Sequence, residues 1–298
     1  MCRGLTSSSR REAMSIIAIS RGTFSGGEAL AKRVAERLGY RCLGREENLE
    51  ATTKKYRVSP EEFAAAMEKR PPFWERVLGE RAAYLTIVRA TLCEQSGGDN
   101  LVYHGYLGHR LLPGISHVIG VRVIADREFR VQAAMQQQHL DPDKALAYVE
   151  KVDRERQEWT RFLFGVDWND SQLYDVVLNL SRLGLESASE TVANLTRRDE
   201  FKATAESLKA MQNLTLQSRV AAALATDFRT QDTEVEVTAA DGIVTITGTT
   251  RWPEVEQAVP AVVRRVEGVK EVHSHVSVHT REARSPHLAA KTKARRAR

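Results

Sequence analysis

Gly22, Ser25, Gly26 and Gly27 stand between an apolar run and a helical pattern, in the stretch Met14 to Gly39, MSIIAISRGTFSGGEALAKRVAERLG. Residues of these types, so placed, can hold phosphate. Glycines let the backbone approach an anion closely, and the first amides of a following helix, with the positive end of its dipole, point at whatever lies over the turn.

Gly22 and Gly27 have the spacing of a P-loop, G-x-x-x-x-G-K-[ST], but Glu28 occupies the lysine position and Ala29 the hydroxyl position. The backbone cradle is kept while its usual cation and its usual Mg²⁺ ligand are not. Lys32, one helical turn on, either substitutes in part for the missing cation or pairs with Glu28 at i,i+4. A glycine turn joining a strand to a helix in another α/β fold gives the same pattern. A second set of chemical residues lies in DPDKALAYVEKVDRERQEWTRFLFGVDW, Asp141 to Trp168, where Lys151, Arg154, Arg156 and Arg161 interleave with Asp153, Glu155 and Glu158. These form either a salt-bridged helical surface or a lid whose arginines close over transferring phosphates.

The elements that position these residues follow from periodicity. Ile16, Ile17 and Ile19 predict a buried strand; Leu30, Val34 and Leu38 predict the helix after the turn, with Gly39 at its C-cap. A short strand at 40–43 and a helix from Glu46 to Lys55 follow, then a helix opened by Ser59 and Pro60. Arg70-Pro71-Pro72 breaks it, and a longer amphipathic helix carries Trp74, Val77, Leu78, Leu85, Val88 and Leu92 on one side. Further strands are expected at 101–105, approaching Asp126, and at 173–179, with helices at 127–138 and 184–195. Strands alternating with helices predict a parallel sheet whose site lies at its carboxyl ends, where Gly22, Gly105 and Asp126 gather. Asp126 reads equally as a helix cap or a Mg²⁺ ligand.

The 298 residues suffice for two domains, and an apolar share of 42% is ordinary for a chain with a full core. Cys2, Cys42 and Cys93 lack metal or C-x-x-C spacing and read as free thiols of a reducing compartment. Residues 1–13 hold no apolar signal region and no run approaches a membrane span, so a cytoplasmic protein is expected, starting at Met1 or at Met14. The net charge of +5 lives in the tail, where seven basic residues from Arg281 onward face Glu282 alone. Such a tail is expected to be disordered and to touch anions non-specifically at most.

Taken in order, the parts from Ile16 to about Leu195 resemble the cytidylate kinase-like family of P-loop nucleoside-monophosphate kinases. The resemblance rests on Ser20-Arg21-Gly22 with Ser25-Gly26-Gly27, Ala31-Lys32, Leu38-Gly39-Tyr40, Val102-Tyr103-His104-Gly105 and Gly114-Ile115-Ser116-His117-Val118. Asp126 with Arg127 and Arg130, Asp153-Arg154-Glu155-Arg156, Gly165-Val166-Asp167-Trp168 and Leu173-Tyr174-Asp175 through Asn179 complete it. It implies transfer of a phosphoryl group from ATP, with Mg²⁺, to CMP or a similar nucleotide. It also implies donor phosphates on Arg21, Gly22, Ser25, Gly26 and Gly27, and a lid clamp of Arg154, Arg156 and Arg161. Further phosphate contacts are implied from Arg45, Arg127 and Arg130, and a metal contact from Asp126. Family members usually carry a basic residue at or beside position 28, where this chain has Glu28.

Residues 196–213 read as a polar linker helix, and a smaller unit follows. Leu216, Val220 and Leu224 mark a helix, Val235 and Val237 a strand, Asp241-Gly242 a turn, and Val244 to Gly248 a second strand. Val255, Val259, Val262 and Val266 mark another helix before a last strand through Val276 and Val278. The run Asp241-Gly242-Ile243-Val244-Thr245-Ile246-Thr247-Gly248, with Val266-Glu267-Gly268-Val269-Lys270-Glu271-Val272, resembles a BON domain. That resemblance implies an interaction module without catalytic residues, binding a protein, a small ligand or another copy of itself. His273, His275 and His279 alternate along one strand, either as ordinary half-exposed polar residues or as metal ligands.

The expected architecture is thus an α/β kinase-like domain at 14–195, with a parallel sheet flanked by helices, between a disordered extension at 1–13 and a linker at 196–213. A small α+β BON domain at 214–279 and a basic disordered tail at 280–298 complete it. Three functions fit: a cytidylate-like kinase weakened by Glu28 and Ala29, a silent nucleotide sensor relaying its state to the BON domain's partner, and an interaction scaffold.

Overall fold

The computed structural model describes residues 15–59, 74–98, 100–105, 107–231 and 233–278. The amino-terminal extension, the helix expected after Ser59, His279 and the basic tail lie outside these residues. The chain divides into two units, Met1–Ala222 and Ala223–Arg298.

The first unit is built on five parallel strands: β1 (Ile16–Arg21), β2 (Arg41–Gly44), β3 (Leu101–Gly105), β4 (Val118–Ile124) and β5 (Val176–Asn179), in the order β2-β3-β1-β4-β5. Central β1 is covered on both faces, which explains its unbroken apolar run. Its alternate side chains serve two cores. Ile17 and Ile19 join Val102, Ile119, Val121 and Val123 beneath α1 (Gly27–Leu38), whereas Ile16 joins Leu101 and Tyr103 on the opposite face. Leu30 and Val34 bury against the first of these cores, and Gly39 ends α1 in the left-handed conformation expected of it.

Helix α2 (Arg45–Tyr56) and helix α3 (Trp74–Gln95) follow, and Ile87, Val88 and Leu92 of α3 bury in the second core. After β3 a single helical turn, α4 (Gly108–Leu111), stands where the sequence showed no helical period. Beyond β4, α5 (Arg127–Gln138) and α6 (Pro142–Phe164) form an antiparallel pair sharing a small core of Ala134, Ala145 and Val149, on which Phe24 of the glycine turn packs. Asp141 caps α6 by accepting the Lys144 amide, with Pro142 in its first turn. The strand expected from Leu173 begins only at Val176, after a 3-10 turn at Ser171–Leu173; α7 (Leu185–Leu195) then packs on α1.

Residues expected to divide into a linker and a BON helix instead form one helix, α8 (Ala205–Thr226). Met211, Leu214 and Ala222 of α8 belong to the core of the first unit. No glycine or proline interrupts 205–241, so the shift in composition near Asn213 carries no break in the backbone.

In the second unit, β6 (Glu234–Ala240) pairs antiparallel with β7 (Ile243–Thr250) through Asp241 and Gly242, both at positive φ as a two-residue hairpin of this hand requires. Helix α9 (Pro253–Val263) crosses to β8 (Glu271–Val278), which runs parallel to β7. Val237, Val244, Ile246, Val259, Val262, Val263 and Val276 are buried, the alternation that the sequence shows. Among the described residues no helix is long and apolar enough to cross a membrane.

Candidate functional site

Residues 22–27 turn the chain from the end of β1 into α1. Gly22 donates its amide to the Val123 carbonyl of β4 at 3.2 Å, and Ser25 closes the turn on the Gly22 carbonyl by its amide (3.2 Å) and Oγ (2.9 Å). Gly26 caps α1 at a left-handed φ of 82° with no side-chain bond, so the first amides of the helix remain open to a ligand. Gly27 has no room for a side chain, because a Cβ there would lie 2.4 Å from Cβ of Arg21.

Two cavities meet at Gly22. One, of about 390 Å³, follows the turn from Arg21 to Ala29 and is closed by Lys32, Gln137, Tyr148, Val152 and Arg156. The other, of about 410 Å³, lies among the ends of β1 and β4, helix α6 and the segment after it; Gly22, Arg122, Arg130, Asp153, Arg154 and Trp168 line it.

Thr23 ties the turn to the α5–α6 pair. It is 4% exposed, its Oγ1 donates to Asp153 Oδ1 at 2.8 Å and accepts from Arg156 Nη1 at 2.6 Å, and its carbonyl accepts from Arg130 Nε at 2.7 Å. Arg130 also pairs with Asp153. Asp153 thereby holds two partners on the face of α6 that meets the turn.

Of the residues expected at the site, Arg21, Gly22, Ser25, Gly26, Gly27 and Arg156 surround the first cavity, and Gly22, Arg130 and Arg154 the second. Four others stand outside both linings. Arg161 pairs with Asp167 at 3.6 Å; Arg127, 66% exposed on its side chain, pairs with Glu150 at 2.6 Å; Arg45 lies beside Gly105 near Glu46. Asp126 precedes α5 without capping it by its side chain, accepting instead from Asn179 at 3.2 Å.

Glu28 lines the first cavity as a carboxylate bonded to Lys32 at 2.9 Å, and that bond, opposed by partial burial, lowers its pKa. The turn therefore carries an anion where a cation is usual, and Lys32 is spent on it. Among the described residues no three His, Cys, Asp or Glu side chains gather to hold a metal. With Ala29 at the hydroxyl position, Ser25 Oγ turned onto Gly22 and Asp126 outside the cavities, the donors present do not fit a protein-held Mg²⁺ site.

Sequence reasoning assigned no site role to Thr23 or Arg122, and took Asp153 as an ion-pair partner and Trp168 as part of the family resemblance. Arg122 had one legible signal, a single charge inside the apolar strand VIGVRVI. Its phase, alternate to Val121 and Val123, turns it to the face away from α1. There it is 5% exposed, with its guanidinium carbon 4.0 Å from the centre of the Trp168 ring and 5.9 Å from that of Tyr174.

The chain is similar to known proteins. A curated cytidylate kinase from Ignicoccus hospitalis is 27% identical over 184 residues, covering 61% of this chain and 99% of that protein. Another from Thermoplasma acidophilum is 24% identical over 186 residues, covering 59% and 92%. An uncharacterized protein of Eubacterium ventriosum of known crystal structure aligns with a TM-score of 0.48 at 18% identity, over 61% of this chain and 98% of that one. Shikimate kinase from Bacteroides thetaiotaomicron aligns with a TM-score of 0.40 at 13% identity, over 62% and 100%. Residues 212–280 match the BON domain. Residues 16–182, more than half of the chain, match the model of the cytidylate kinase-like family, and the chain belongs to that family.

Proposed function

We propose that the first unit binds ATP on the turn from Gly22 to Gly27 and transfers its terminal phosphoryl group to CMP or a similar nucleoside monophosphate. The observation that carries this reading is the convergence of an open helix terminus with Arg130, Arg154 and Arg156 around two cavities that share Gly22. The family match and the names of its two cytidylate kinase relatives supply the substrate class. In the proposed step an oxygen of the acceptor phosphate attacks the γ-phosphorus. A new P–O bond forms as the bond to the β–γ bridging oxygen breaks, and ADP leaves with that electron pair. Positioning and charge stabilisation by the arginines are what the protein contributes. Mg²⁺ enters only as an ion carried by the phosphates of the nucleotide.

The Glu28 carboxylate in the phosphate cavity favours a second reading, a domain that binds nucleotide without turnover and signals through a protein or small ligand held by the BON domain. A turnover assay of the full chain with ATP and a panel of monophosphates separates the two. CDP formation that is lost in Arg154→Ala and Arg156→Ala supports the kinase. Thermal stabilisation by ATP with no product from any acceptor supports the sensor. Neither effect would sink both.

A further inference from the structure

We propose that Arg122 supplies, from within the sheet, the phosphate-binding cation that the glycine turn lacks at position 28. This inference rests on the nucleotide-binding reading above only for the identity of the natural ligand.

The charge distribution around the second cavity is its basis. Three guanidinium groups, of Arg122, Arg130 and Arg154, share the lining with two carboxylates. Both carboxylates are engaged: Glu150 by Arg127, and Asp153 by Arg130 and Thr23. Among the described residues neither Arg122 nor Arg154 has a carboxylate partner. Arg154 is exposed and its charge is hydrated, but Arg122 is enclosed. Its Nη2 donates to Asn169 Oδ1 at 3.3 Å, while its Nη1 is buried with no hydrogen-bond partner among the described residues.

An arginine keeps its proton in such surroundings. Burial disfavours the charged form of Arg122 and nearby Arg130 and Arg156 repel it, while Tyr174 and Asp153 favour it. A buried, charged donor left unsatisfied is costly, and a ligand that accepts from it removes that cost. The stack on Trp168 holds the planar fork in place, and Gly22, the first residue of the turn, lines the same cavity. A phosphate chain lying across Gly22 would meet the amides of the turn on one side and the Arg122 guanidinium on the other. The ligand class is therefore a polyphosphate, whether free or as the tail of a nucleotide.

Inorganic tripolyphosphate, which carries no base, tests this on the full chain. Calorimetric titration should show binding by the unmutated protein, weakened at least about tenfold in Arg122→Gln and recovered in large part when Glu28→Lys is added. Equal binding by Arg122→Gln and the unmutated protein, or no binding by the latter, overturns the proposal. So does a lower melting temperature in Arg122→Gln that leaves affinity unchanged, the mark of a purely structural stack on Trp168. Should Arg122→Gln not fold, the unmutated chain still answers. Tripolyphosphate should change the tryptophan emission in a way that Trp168→Phe abolishes, and a response that survives Trp168→Phe overturns the assignment. Parallel assays with ATP keep the two readings apart. Binding that depends on Arg122 without turnover rejects the kinase and keeps the anion site, whereas turnover indifferent to Arg122→Gln does the reverse.

Discussion

Thr23 Oγ1 donates to Asp153 Oδ1 at 2.8 Å, joining the glycine turn to helix α6 across 130 residues of chain. Thr23→Val keeps the shape and removes this bond together with the acceptor for Arg156. Hydrogen bonds to charged groups contribute roughly 1.5–3 kcal/mol each, so a loss of about 2 kcal/mol is expected on denaturant unfolding. Faster amide exchange should be confined to 142–164. Unchanged protection there would show that α6 is held by its apolar face alone.

Gly27→Ala should disturb the turn directly. Its Cβ would lie 2.4 Å from Cβ of Arg21, and overpacking of this kind costs about 1–3 kcal/mol. Because the obstructing atom is a Cβ, Arg21→Ala should not rescue Gly27→Ala, whereas Arg21→Gly should. Melting temperatures of the three variants decide this, and rescue by Arg21→Ala would refute it.

Glu28→Ala should leave the melting temperature unchanged, because the Glu28–Lys32 pair stands exposed at the start of α1 and such pairs contribute little. Glu28→Lys should raise ATP affinity about tenfold or more by placing a charge-assisted donor beside the open amides of the helix. Calorimetry that finds equal affinities would mean the phosphates do not reach the start of α1.

Acid should destabilise the first unit through His109. This histidine, packed edge-on against Tyr174 at 5.1 Å, is pushed down to about 4, first by burial and then by the charge of Arg110. The folded state binds its proton less readily than the unfolded chain, whose histidine titrates near 6.5. Stability from this group is thus complete above pH 6.5, falls as the pH drops toward 4, and falls no further below. The linked loss is on the order of 3 kcal/mol. His104 is shifted in the same direction by burial and by Arg21, so it adds to the loss of stability as the pH falls below 6.5. His109→Phe should flatten the pH dependence of unfolding between 6.5 and 4, and an unaltered slope would assign it to other groups.

The periodicities of Ile16 to Gly39 and of Asp241 to Val278 made the strands, the glycine turn and both resemblances legible, because alternation and capping are local and survive in one dimension. Gly22, Gly27, Arg154 and Arg156 stood out for the same reason, as residue types at fixed offsets from a strand end or along a helix, whereas Arg130 came only from the family resemblance. Local pattern does not report which side chains meet across the sheet. Arg127 and Arg130 look alike in REFR, yet one pairs with Glu150 at the surface and the other reaches Thr23, since residues three apart on α5 point in directions that only the packing of α6 distinguishes. The continuity of α8 was likewise hidden, because its partners Cys93 and Glu94 lie more than 100 residues earlier. By itself the sequence determined the order of elements, the cradle and the missing cation at position 28. Only the tertiary structure decided that Lys32 is taken by Glu28 and that Arg122 stands buried beside Gly22. Desolvation and pairing are properties of the enclosed site, created when strands and helices far apart in the chain close around it.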